Sequence, residues 1–273
     1  MVSFAGMSWE PDRLCWRGLT FRLEDPTRPV PGSDGLILWK SRGLVEQYRA
    51  FWAERPAFSP RQVFELGVWK GGSVVFWAEA LRPDRLVAVD KREGSDSPAF
   101  ESYLAARTPR LQVHWAVDQS DQGRLRTLLD GAFDGLLDLV IDDASHLYGP
   151  TRASFETLFP RIRPGGLYVI EDWAWAHWRE FQGPTSPFAR QIPLTRLVEE
   201  LVAAVGSSDL VRAVSVRQGF VAVERGDLPA PEPFTVDAAV SWSADPPPRA
   251  LRGLLKQVVK EISARLRRGR IRA

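Results

Sequence analysis

From residue 61 onward, uninterrupted apolar runs alternate with longer segments whose apolar positions recur at helical spacing. The runs are VFEL at 63–66, LVAVD at 86–90, LQVHW at 111–115, LDLVID at 137–142 and GLYVIE at 166–171. Runs of this kind are strands buried on both faces of a parallel sheet. The segments between them, such as SVVFWAEAL at 73–81 and YGPTRASFETLF at 148–159, are long enough for right-handed helical crossovers. Two further strands, LVRAVSV at 210–216 and GFVAVE at 219–224, have only Arg217 and Gln218 between them and predict a terminal antiparallel hairpin. The expected fold is α/β, with a seven-stranded, mostly parallel sheet covered by helices.

The flanks read differently. In residues 43–55, Leu44, Val45, Tyr48, Phe51 and Trp52 share one helical face, and Pro56 and Pro60 end that helix. Residues 1–35 are rich in Pro, Gly and Arg without a sustained period, which predicts an arm rather than an independent domain. Beyond Gly226 a proline-rich connector leads to residues 251–273, where Leu254, Leu255, Val258, Val259, Ile262 and Leu266 line one face of a helix whose other face is basic. That pattern predicts a terminal helix docked on its own protein, with a membrane surface or a partner as the competing use. The expected division is an N-terminal arm and helix (1–58), the sheet domain (59–226), and a connector with a C-terminal helix (227–273).

Composition narrows the partners. With 44% hydrophobic and 26% charged residues the chain has an ordinary globular make-up, and a net charge of +2 gives no electrostatic case for nucleic acid. The one cysteine, Cys15, forms no disulfide within the chain and fits a reducing compartment. The N-terminal residues lack a basic segment followed by an apolar run, and no stretch approaches the ~20 apolar residues that span a bilayer. A cytoplasmic protein is expected, with the arm and terminal helix as surfaces for a possible homo-oligomer.

Candidate chemistry gathers at the strand ends. The first strand runs into Glu65, Gly67, Lys70, Gly71, Gly72 and Ser73, an acidic residue followed by glycines that let backbone approach a ligand at a helix N-terminus. The spacing is neither GxGxxG nor a P-loop, which disfavours NAD and ATP. Asp90 ends the second strand, where a carboxylate can hold ribose hydroxyls, and Asp118, Gln119 and Ser120 end the third, near the place of a base. The fourth strand ends in Asp142-Asp143 with His146 just beyond, and the fifth in Glu171-Asp172, one strand–helix–strand unit later. Asp143, Glu171 and Asp172 make a hard oxygen set suited to Mg²⁺ or another hard divalent cation, which could also take two adjacent substrate hydroxyls. His146 is placed to remove the hydroxyl proton. Asp142, by strand alternation, faces away from Asp143 and serves a helix N-terminus or the cofactor. Trp173, Trp175, His177 and Trp178 either wall an acceptor pocket or pack in the core, and His114, inside a strand, is structural.

The stretches FELGVWKGGS, VIDDASH and RPGGLYVIEDW resemble those of the cephalosporin hydroxylase and macrolide sugar O-methyltransferase group of class I methyltransferases, over roughly residues 60–225. The resemblance implies a Rossmann-like domain that binds S-adenosyl-L-methionine through the glycine turn and VDQSD. It implies Mg²⁺ on Asp143, Glu171 and Asp172, His146 as general base, and a small-molecule glycoside or polyol acceptor. The ELGxxxGGS turn is also similar to that of catechol O-methyltransferases, but the base there is typically Lys and the second acidic site an Asp-Asn pair. Relative to sugar-modifying members with a large auxiliary domain, only an arm is expected ahead of the sheet. The rival functions are a catechol or phenolic O-methyltransferase, an oxygenase, for which His114, His146 and His177 give no facial-triad spacing, and a cofactor-binding partner protein without chemistry.

Overall fold

The computed structural model describes residues 2–23 and 35–240, so the helix expected over 251–273 lies outside the described residues. The chain opens with β1 (Ser8–Glu10), β2 (Arg13–Trp16) and β3 (Leu19–Leu23), an antiparallel meander, and β4 (Leu36–Leu38) joins β3 in parallel. Helix α1 (Arg42–Ala53) follows, with the Ser41 side chain capping it at the Leu44 amide, 3.1 Å away. Its buried residues are Leu44, Val45, Tyr48, Phe51 and Trp52, the face that the periodicity predicts.

The alternating region then forms β5 (Gln62–Leu66), α2 (Gly72–Leu81), β6 (Arg85–Val89), α3 (Pro98–Ala105), β7 (Leu111–His114), α4 (Gln122–Ala132), β8 (Leu137–Asp142), α5 (Tyr148–Leu158) and β9 (Ile162–Glu171). Helix α6 (Thr195–Ser207), the hairpin strands β10 (Val211–Val216) and β11 (Phe220–Arg225), and the short α7 (Val236–Ala239) complete the described chain. The large sheet has the order β10-β11-β9-β8-β5-β6-β7. Its five strands from β9 to β7 are parallel, and the hairpin adds antiparallel to β9, as the sequence predicts. Between β5 and β8 the connections diverge to opposite directions, which opens a crevice at the carboxyl ends of the strands.

The small four-stranded sheet is an element that the pattern of residues 1–35 does not predict. Its physical cause lies in α2, whose sequence GSVVFWAEAL is buried almost all round: Val74, Val75, Phe76, Trp77, Ala78, Ala80 and Leu81 all lie in the core. A helix apolar on every side needs cover on both. The large sheet covers one side, and Phe4, Trp16 and Phe21 pack their rings on Phe76 on the other. The N-terminal strands therefore share one hydrophobic core with the large sheet. Gly72 marks how close they come, because a Cβ there would collide with the Ile37 carbonyl of β4.

Candidate active site

One cavity of about 1360 Å³ runs along the carboxyl edge of the sheet. At its first end is the turn after β5. Gly67 sits at φ 91° and Gly71 at φ 86°, conformations that side-chain-bearing residues rarely adopt, and a Cβ on Gly67 would strike the Asp143 carbonyl. The turn is tied to β6 by Asp90, whose Oδ2 accepts from the amides of Val68 and Trp69, both at 2.7 Å, while Oδ1 accepts from the Arg92 amide at 2.8 Å. Asp90 still lines the cavity with lone pairs to spare for hydroxyls. Gly67, Gly72 and Ser73 also line it.

Glu65, Lys70 and Gly71 do not lie on the cavity wall. Gly71 is the residue before α2, packed over the Phe100 ring, and the Lys70 ammonium lies over Trp69, 5.0 Å from the ring centre. Glu65 is fully buried, and neither carboxylate oxygen has an aligned hydrogen bond. Burial pushes its carboxyl up to about 8, against partial relief from Ser73 and Lys40. A buried carboxyl in that state is neutral at physiological pH.

The end of β7 contributes Asp118 and Gln119. Asp118 takes Ser120 and Lys91 as partners, with Lys91 Nζ at 2.8 Å and the Ser120 hydroxyl at 2.7 Å, and these hold its carboxyl down at about 2. Gln119 is buried and bridges two strands: its Oε1 accepts from the Ser145 amide at 2.8 Å and its Nε2 donates to Asp142 at 3.2 Å. Asp118 and Gln119 line the cavity, whereas Ser120 supports Asp118 from the side. Asp142 is neither a helix-terminus partner nor a wall residue. It faces the opposite side of the sheet, as alternation predicts, and accepts from Tyr168 Oη at 2.7 Å and from Ser154 Oγ, inside α5, at 2.9 Å. Its role is to anchor Gln119 from behind.

At the centre, Asp143, His146 and Asp172 bring one ligand atom each to within 4.8 Å of one another. His146 and Asp172 both sit in the left-handed region, at φ 56° and 53°. Such strain in residues with side chains persists where surrounding bonds over-determine it, and it clusters at functional sites. Here the Ser145 amide is held by Gln119, and the Asp172 amide donates to the Gly219 carbonyl at 2.9 Å in the hairpin turn. His146 Nε2 lies 3.9 Å from Asp143 Oδ1 and its ring lies against Trp175, with centroids 4.6 Å apart. Burial lowers the pKa of His146, partly countered by Asp143, so the imidazole is neutral and able to accept a proton.

Glu171, expected beside Asp172 as a ligand, lies outside this group of three. Its two oxygens are engaged by Lys40 Nζ at 2.6 Å and Tyr48 Oη at 2.8 Å, and Lys40 also reaches Asp143 Oδ2 at 2.8 Å. Lys40 and Tyr48 come from the link after β4 and from α1, and both are buried. Burial alone would depress the Lys40 ammonium, but Asp143 and Glu171 reverse that and hold it protonated. Burial, and next the charge of Asp143, raise the carboxyls of Glu171 and Asp172. When Asp143, Glu171 and Asp172 are all ionised they face one ammonium, that of Lys40, a balance of minus two that a hard divalent cation neutralises, while Glu65 stands off the cavity wall. Asp143 and Asp172 offer the hard carboxylate oxygens such an ion takes, with His146 beside them as a base, so the residues fit the group that the sequence predicts.

The far end of the cavity is aromatic. Trp175, Trp178 and Phe181 line it from one side and Trp39, paired with Trp69 at 4.4 Å, from the other. Trp178 and Trp39 are each 41% exposed, and flat faces left open beside a polar centre suit the ring of an acceptor. Trp173 and His177 point elsewhere: the Trp173 Nε1 donates to the Arg217 carbonyl at 3.0 Å, and His177 pairs with Thr195 at 2.9 Å. His114 lies in β7 with its Nε2 buried and unpartnered. Lys40, Tyr48 and Trp39 are the site residues that sequence reasoning missed. Only Tyr48 left a signal, as a polar-tipped ring on the buried face of α1.

Residues 64–173 match a family model described as a methyltransferase domain. The chain is 38% identical over 169 residues to 8-demethyl-8-alpha-L-rhamnosyl tetracenomycin-C 2'-O-methyltransferase of Streptomyces olivaceus, covering 57% of this chain and 41% of the relative. It is 34% identical over 156 residues to demethylmacrocin O-methyltransferase of Streptomyces fradiae, covering 55% and 36%. Among solved structures, the MycE methyltransferase from the mycinamycin biosynthetic pathway, in complex with Mg, SAH and mycinamycin VI, superposes with a TM-score of 0.53 at 27% identity, over 70% of this chain and 51% of that one. The match thus spans less than half the length of these two curated relatives.

Proposed function

We propose that this chain, whose residues 64–173 match a methyltransferase domain, is a metal-dependent O-methyltransferase that uses S-adenosyl-L-methionine to methylate a hydroxyl of a sugar or polyol, in the biosynthesis of a natural-product glycoside. The observation that carries the reading is the continuity of one cavity from the glycine turn, past His146, Asp143 and Asp172, to the tryptophan wall. Its volume exceeds that of an ordinary single-ligand pocket and suits a cofactor and an acceptor side by side. The two curated relatives named above are O-methyltransferases, one of them acting at the 2' position of a rhamnosyl compound, which supports the acceptor class.

When bound, S-adenosyl-L-methionine would supply an electrophilic methyl group, and a divalent ion held by Asp143 and Asp172 would withdraw charge from the acceptor oxygen. The chain's own residues do the rest. Neutral His146, beside Asp143, removes the hydroxyl proton, and its imidazolium is stabilised by that carboxylate. Gly67 and Ser73 admit the cofactor to the turn, Asp90 accepts from its ribose hydroxyls, and Asp118 with Gln119 borders its base. Trp175 and Trp178 orient the acceptor ring, and the gain comes mainly from alignment of the two reactants. Lys40 and Tyr48 fix Glu171, and Glu171 with them forms the floor of the acidic centre.

The test is binding followed by acceptor class. Calorimetric titration with S-adenosylhomocysteine is expected to give one site per chain, and mass spectrometry after incubation with S-adenosyl-L-methionine is expected to find methyl addition on glycosides. Addition on catechols alone would keep the mechanism and move the substrate class. Absence of cofactor binding would remove the reading at its base.

A further inference from the structure

A lysine is among the least expected residues in a protein interior, because its ammonium loses strong hydration there. Lys40 has a side chain only 1% exposed, and its partners are Asp143 and Glu171, 103 and 131 positions further along the chain. Replacing buried ion pairs with apolar residues is often neutral for stability, so packing alone does not account for it. The backbone on either side is fixed: Leu38 is fully buried in β4, and Ser41 caps α1. Tyr48, one helical stretch later, stacks on Phe220 with centroids 4.3 Å apart and donates to the second oxygen of Glu171. The ammonium is therefore held at one point beside the carboxylates and cannot swing out to solvent.

We propose that Lys40 is a positioning residue that sets the valence of the cation site, its fixed charge cancelling one of the three carboxylates so that the remaining two match a divalent ion and disfavour a trivalent one. The inference rests on the reading of the acidic centre as a metal site. It makes the N-terminal segment part of the site, although that segment lies outside the matched residues 64–173. Electrostatics gives the direction. Each additional unit of charge on the bound ion is repelled by Lys40 and attracted by a carboxylate, so removing the ammonium favours the trivalent ion more than the divalent one.

The experiment measures Mn²⁺ and Tb³⁺ affinities for the purified, metal-stripped chain, Mn²⁺ by electron paramagnetic resonance and Tb³⁺ by luminescence sensitised through neighbouring tryptophans. The preference of Tb³⁺ over Mn²⁺ is compared across wild type, Lys40→Met, Glu171→Gln and the double variant. Differences in ion size are common to all four and cancel. Lys40→Met is expected to raise the preference for Tb³⁺ at least tenfold, Glu171→Gln to lower it, and the double variant, which restores minus two, to return within about threefold of wild type. If Lys40→Met does not fold, the step from Glu171→Gln to the double variant removes the same ammonium without stranding a buried charge, and the same tenfold rise is expected there. A purely structural lysine would leave the preference unmoved, and an unmoved preference in a chain that binds both ions overturns this inference alone. A wild-type chain that binds neither ion overturns it together with the metal reading on which it rests.

Discussion

Glu65 gives the most quantitative handle on the site, because its carboxyl is fully buried without an aligned partner. Burial moves it from an ordinary 4.5 to about 8. The sign follows from proton linkage. Below about 4.5 the folded and unfolded chains both carry the proton and Glu65 costs nothing; between about 4.5 and 8 the unfolded chain releases it while the folded chain retains it, so stability falls as pH rises through that window. At about 1.4 kcal/mol per tenfold change in proton affinity, the displacement corresponds to roughly 5 kcal/mol above pH 8. Even about half that, after local relaxation, lies well outside the error of a denaturant titration. Glu65→Gln is isosteric with the protonated carboxyl and cannot ionise. In urea titrations of the metal-stripped, cofactor-free chain, the variant is expected to lie within about 1 kcal/mol of wild type at pH 5 and to exceed its stability by about 2 kcal/mol or more at pH 9. Glu171 and Asp172 titrate in both proteins and drop out of the difference. A gap between the two proteins that is the same at both pH values would refute the reasoning.

Other expectations follow from single contacts. His146→Ala is expected to lower kcat by about 10²- to 10⁴-fold, the usual worth of a positioned base, with S-adenosylhomocysteine affinity by calorimetry nearly unchanged. Trp178→Ala, which removes an exposed wall of the acceptor end, is expected to raise acceptor KM several-fold and leave cofactor affinity alone, as steady-state kinetics would show. Gly67→Ala combines a positive φ with a collision against the Asp143 carbonyl, so thermal unfolding should report a loss of at least about 2 kcal/mol and cofactor binding should fail with it.

The large sheet was legible because its strands are continuous apolar runs and its crossovers are amphipathic, and the hairpin because only Arg217 and Gln218 lay between two runs; the chain reverses there, with Arg217 donating to the Phe220 carbonyl at 2.8 Å. His146, Asp143 and Asp172 were legible for the same reason: residues just past parallel strand ends converge on one edge. The N-terminal sheet was not, since its strands are only three to five residues long and three of them carry a charged position. The available signal lay elsewhere, in the all-round apolar sequence of α2, which demanded a second cover. Lys40 was hidden by its type, because lysine reads as surface and its carboxylate partners are distant in sequence. Glu171 was placed at the strand end, but nothing in the local sequence discloses that Lys40 and Tyr48 arrive from other elements to bond its oxygens. Gly71, Lys70, Ser120 and Asp142 stood in the right segments, yet the structure uses them to shape or brace the wall rather than to form it.

The central claim, a metal-assisted methyl transfer to a glycoside hydroxyl, is tested most directly by following methyl incorporation from S-adenosyl-L-methionine into a glycoside by mass spectrometry, with excess EDTA and then with Mg²⁺ restored. The account predicts a methylated product that disappears with the chelator and returns with the ion. Product formation unaffected by EDTA would contradict it.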